Sequence, residues 1–162
     1  MNLHTTTSTP IDDEYAALLG KAVYVFAYYE WTIIYIIDHL SPGFVHEYCR
    51  NNKQGLTAGA VSKNFEKLVK GGTIANKIST FPSIKSCQTQ FDDLVKERNA
   101  LIHAHPLTDE DGAQILGYQA HHERDITDMI WQKDKVENVI SKFDAAVVDA
   151  GTLLQSLRES AS

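Results

Sequence analysis

Residues Ser83 to His105 read SIKSCQTQFDDLVKERNALIHAH, and their periodicity decides how the chain folds. At about 100° per residue, Ile84, Cys87, Phe91, Leu94, Val95, Leu101 and Ile102 fall on one stripe. That pattern is an amphipathic helix, which must bury one face against other elements. The spacing returns to the centre of the stripe at position 98, and the residue there is Arg98. Asn99 and His103 stand four apart on the flank of the stripe. His105, if still helical, comes back to the side of Arg98. Pro106 is expected to end the helix, because the residue before a proline avoids helical backbone.

Working outward, the spacing predicts a long first helix from Asp12 to Leu40, capped by its aspartates and stopped at Ser41-Pro42-Gly43. Phe44 to Arg50 fits a short helix. Thr57 to Val69 fits another, with Thr57 as cap, Val61, Phe65, Leu68 and Val69 at helical spacing, and Gly71-Gly72 as terminator. Leu107 to Gly112 (LTDEDG) reads as a turn. Gln114 to Ala120 and Arg124 to Trp131 fit a short hairpin around His121-His122-Glu123, although Ile126, Met129 and Ile130 also fit a helix. Lys133 to Leu157 carries a strong apolar stripe: Val136, Val139, Ile140, Phe143, Ala146, Val147, Leu153, Leu154 and Leu157. The expected fold is therefore all-α. It is an antiparallel bundle of four to five helices with a small β-hairpin inserted before the last one. Residues 1–11 read as a flexible, polar tail without the pattern of a secretory signal, and 12–160 as a single domain.

The chain has 162 residues, with 15 Lys and Arg against 21 Asp and Glu, for a net charge of −6. That balance argues against a broad basic nucleic-acid-binding surface but leaves room for a local phosphate site. Two cysteines, Cys49 and Cys87, make neither a disulfide framework nor a thiolate zinc cage, and a reducing, cytoplasmic setting is expected. Ala22 to Ile37 is nearly all apolar or aromatic, yet it is shorter than a membrane span and carries Glu30 at its centre. A helix buried on most of its circumference is expected, and no membrane partner.

An arginine on an apolar stripe is either ion-paired or lines a wet cleft, because an unpaired buried charge is costly. With Asn99, His103 and His105 on one edge, the grouping suits phosphodiester chemistry. Arginine holds a phosphate through two parallel hydrogen bonds, and histidine moves a proton near neutral pH, for example from a ribose 2′-hydroxyl. The plain alternative is a structural ion pair at Arg98 and a histidine that satisfies a helix C-terminus.

Glu97-Arg98-Asn99-Ala100-Leu101-Ile102-His103 resembles the signature of the HEPN superfamily: Arg, a polar residue, a few variable residues and His, late in a helix of an all-helical bundle. The resemblance implies a metal-independent endoribonuclease, often a toxin or antiviral defence component, needing no cofactor. It also implies a homodimer whose two Arg/His motifs face one composite cleft. Arg98 and His103 would be catalytic, with Asn99 supporting, RNA as substrate and a cognate antitoxin as a partner. Toxins of this kind that pair with a nucleotidyltransferase antitoxin commonly carry Tyr two residues after the His, and here that position is His105.

Glu30 is the only charge between Lys21 and Asp38, so a Glu30–Arg98 contact, within or between subunits, is expected against the alternative of a solvent-facing Glu30. His121 and His122 lack acidic or thiol partners at a metal-ligand spacing, so no metal site is assigned. Cys87 reads as core. Tyr24, Tyr28, Tyr29, Trp31 and Tyr35 are too dense for one buried stripe and suggest packing on two sides. The rival to a ribonuclease is a catalytically inactive HEPN-like dimerisation or binding module.

Overall fold

Asp12 opens the first helix as its aspartate side chain suggests: Oδ2 accepts from the Tyr15 N–H at 3.3 Å, and α1 runs over Asp13–Leu40. The structure is a computed structural model that describes residues 11–51, 56–118 and 129–161. The expected N-terminal tail, apart from Ile11, and the His121-His122 pair lie outside the described residues. Then follow α2 (Phe44–Asn51), α3 (Ala58–Lys70), α4 (Ala75–Thr80), α5 (Ser83–Ile102), β1 (His105–Thr108), β2 (Gln114–Tyr118), β3 (Met129–Trp131) and α6 (Lys133–Ser160). Thr57 caps α3 by accepting from Ala60 N–H at 3.2 Å. The fold is the expected helical bundle with a small β insertion before the last helix.

Three differences follow from local chemistry. First, α5 stops at Ile102 instead of reaching His105. Pro106 forces the residue before it into extended backbone, so His105 opens a strand. Second, Leu107 and Thr108, expected in a turn, belong to that strand, and the turn is confined to Asp109–Gly112. There the Asp109 carboxylate accepts from Asp111 N–H and Ala113 N–H, and Gly112 takes φ +83°. Third, α4 buries no residue and therefore shows no apolar period in the sequence.

The three strands form an antiparallel sheet in the order β1-β2-β3, with Pro106 opposite Leu116 and Leu116 opposite Trp131. α5 runs antiparallel to α6, with Glu97 paired to Lys142 at 2.8 Å and Cys87 near Leu153 across one groove. α1 and α6 depart from the expected antiparallel order and run in the same direction, since Lys133 at the start of α6 meets Asp12 and Glu14 at the start of α1. Phe26, Tyr29, Phe91 and Phe143 interlock at their centre, with Phe26 and Phe143 centroids 5.1 Å apart and Tyr29 and Phe91 5.4 Å apart. The predicted stripes of α5 and α6 are buried apart from the half-buried Val147 and Ile102, which the early end of α5 leaves 40% exposed. No helix of the described residues is long and apolar enough to cross a membrane.

Two side chains tie the sheet to the bundle. The Tyr15 hydroxyl donates to Trp131 O at 2.6 Å and accepts from Leu116 N–H at 3.1 Å. Trp131, 1% exposed, donates its indole N–H to Ala100 O at 3.3 Å.

Candidate functional site

Arg98 stands one turn before the end of α5, half-buried. Its Nη1 donates to Asn99 Oδ1 at 3.0 Å, and its Cζ lies 5.6 Å from the centroid of the Phe26 ring on α1. The guanidinium is thus held on one side by its neighbour's amide oxygen and on another by an aromatic face, which attracts a cation. None of the ion pairs formed among the described residues uses Arg98. The carboxylate beside it in sequence, Glu97, pairs with Lys142.

Glu30 lies one turn beyond Phe26 on α1 and is half-buried. Burial raises its carboxyl above the usual range, and the Arg98 charge works against that rise. Glu30 and Arg98 therefore share a neighbourhood and a field, but the ion pair expected from the sequence is not formed within the protomer. Two half-desolvated groups on different helices, with Phe26 beneath the guanidinium, interact without touching.

His103 is the residue after α5. Its N–H donates to Asn99 O at 3.0 Å, and its side chain is exposed. That backbone bond is the last i→i−4 bond of the helix, so what Asn99 itself contributes is the side-chain bond to Arg98. His105 is exposed on β1 and does not return to the side of Arg98 as a continued helix would have brought it. Of the residues expected at the site, Arg98 and Asn99 are in side-chain contact, Glu30 shares the field of Arg98, and His103 and His105 are exposed beyond the end of α5.

Phe26, Tyr15 and Trp131 were not singled out as site residues in the sequence. Phe26 is one apolar residue among many, and only its partner reveals its role. Trp131 satisfies a carbonyl in the last turn of α5, where four are left without helical partners. Its place just before a helix was the one available signal.

Other groups offer less. Among the described residues, no group of three or more His, Cys, Asp and Glu side chains is placed to hold a metal ion. Burial pushes the Cys87 thiol up to about 12, so it is a core group and not a nucleophile. A groove of about 860 Å³ between α5 and α6, and one of about 550 Å³ among α1, α2 and α3, are lined by neither Arg98 nor His103.

Comparison of the chain with family models, curated proteins and solved structures gives no match.

Proposed function

We propose that the protein is a metal-independent endoribonuclease of HEPN type, a toxin or antiviral defence component, working as a homodimer through Arg98, Asn99 and His103. What supports this reading is a guanidinium braced by Asn99 and Phe26 that makes no ion pair among the described residues, on the same helix end as an exposed imidazole. A structural arginine on an apolar stripe would be expected to spend its charge on an ion pair. Arg98 keeps its charge for an incoming anion.

In the proposed reaction the ribose 2′-oxygen attacks the adjacent phosphorus. The P–O2′ bond forms and the P–O5′ bond breaks, leaving a 2′,3′-cyclic phosphate and a 5′-hydroxyl. His103 takes the 2′-hydroxyl proton or supplies the O5′ proton, and the partner copy's motif supplies the other transfer. Arg98 binds the phosphate and offsets the charge that grows on it. Asn99 holds the guanidinium in place. With a net charge of −6, RNA is drawn by this local cation and not by the whole surface.

The test is incubation with total RNA in EDTA, beside Arg98→Ala and His103→Ala, with cyclic-phosphate ends as readout. Cleavage that both substitutions abolish supports the reading. Absent cleavage, or cleavage unchanged by them, supports a non-catalytic HEPN-like dimerisation or binding module, which the acidic surface favours. Loss of cleavage in EDTA points to a metal-dependent nuclease.

A further inference from the structure

Positive charge is unevenly placed in this acidic chain. Residues 56–81 carry Lys63, Lys67, Lys70 and Lys77 against one acid, Glu66, within a protein of net charge −6. Lys70 is held by Glu66 one turn back, and Lys77 donates to His39 O at 2.8 Å. Lys63 and Lys67, one turn apart on α3, are exposed and form no ion pair among the described residues.

Lys67 stands at the wall of the cavity of about 550 Å³ among α1, α2 and α3, a size that suits a small planar group. Phe44 and Tyr48 line it from α2, Leu68 from α3 and Ile37 from α1. Tyr48 is fixed in place: its hydroxyl donates to Leu56 O at 3.2 Å, and its ring meets Trp31 edge-on at 5.8 Å and Phe44 at 6.4 Å. Asn64 adds an amide to the wall, with Nδ2 donating to Ala60 O at 2.9 Å. Aromatic faces for a base, beside ammonium groups for its phosphates, are the means by which single-stranded nucleic acid is held.

α1 connects this cavity to Arg98. Ile37 follows Phe26 by eleven residues, which at about 100° per residue brings it to within about 20° of the same side, about 16 Å further along the axis. Phe26 lies under the Arg98 guanidinium. The cavity and the guanidinium therefore lie along one side of α1. We propose that the cavity is a second binding site for single-stranded RNA, with a base against Phe44 and Tyr48 and phosphates on Lys63 and Lys67, while the scissile phosphate lies at Arg98. At about 3.4 Å per stacked nucleotide, about five nucleotides span the two. The strand's course to Arg98 rests on the proposed function, whereas the cavity itself is tested by binding alone.

The experiment measures fluorescence anisotropy of the full chain with a labelled 2′-O-methyl RNA decamer, whose blocked 2′-oxygens prevent cleavage, and with labelled AMP. The double variant Lys63→Glu/Lys67→Glu is expected to weaken decamer binding roughly tenfold and to flatten its salt dependence. Phe44→Ala is expected to weaken it roughly tenfold, and Phe44→Tyr to keep wild-type binding. Lys21→Glu/Lys85→Glu makes the same change of charge at exposed positions outside the cavity and is expected to leave binding nearly unchanged. Circular dichroism checks that each variant stays folded, and Lys63→Gln/Lys67→Gln repeats the test without charge reversal. In cleavage, the lysine pair is expected to raise the KM for an RNA decamer and to leave kcat unchanged. No decamer binding, binding indifferent to the lysine pair, an equal loss with the control pair, or AMP bound as tightly as the decamer each overturns the site. A decamer held through Lys67 and Phe44 by a protein that cleaves no RNA keeps the site and removes the catalytic reading. Arg98-dependent cleavage with a KM unmoved by the lysine pair does the reverse.

Discussion

The indole of Trp131 donates to the carbonyl of Ala100, so a residue of the last strand caps the helix that carries Arg98. The sheet is thereby a brace on the end of α5, and His103 follows one turn after the bond. Trp131→Phe leaves a buried carbonyl without its donor. A loss of about 1–3 kcal/mol is expected, read as a lower urea midpoint. An unchanged midpoint would show that the bond does not hold the helix end.

Glu30 gives a pH signature. Burial raises its carboxyl in the folded state, and Arg98 lowers it less. Because the folded value lies above the unfolded one, the unfolded chain ionises first. Stability then falls as pH rises from the ordinary glutamate range through the raised value. Glu30→Gln is expected to be more stable than wild type at pH 7 and equal to it below the ordinary range. In an Arg98→Ala background the gain at pH 7 grows. Denaturation at both pH values decides this, and a gain independent of pH refutes it.

Gly117, the fourth of the five residues of β2, sits opposite His105. A Cβ there would overlap Cδ2 of Leu107 on the neighbouring strand. Gly117→Ala is expected to cost about 1–3 kcal/mol by overpacking. Leu107→Ala in the same chain should recover most of that. Thermal melts of the two single variants and the double variant test the coupling.

Arg98→Lys keeps the charge and removes the planar fork that fits a phosphate and rests on Phe26. A loss of about 10²–10³ in cleavage rate is expected, with the melting temperature nearly unchanged. Activity close to wild type would mean that charge alone suffices.

The parts of the fold legible in the sequence are those with a long apolar period. α5 and α6 are legible from stripes such as Val136–Val139–Ile140–Phe143, which the structure buries, and the start of α1 from the Asp12 cap. α4 has no stripe to read. The end of α5 was misplaced because Pro106 acts backward on His105, while the stripe predicted Ile102 inside. At the site, Arg98 was found because it breaks a pattern. Its cushion on Phe26 was not, because contacts between distant helices leave no local signal.

The register of Leu116 against Trp131, with Tyr15 bonded to both backbones, fixes the sheet at its base. Through Trp131 the first turns of α1 are thereby linked to the last turn of α5, so a strand of three residues joins two helix ends that stand far apart in the sequence.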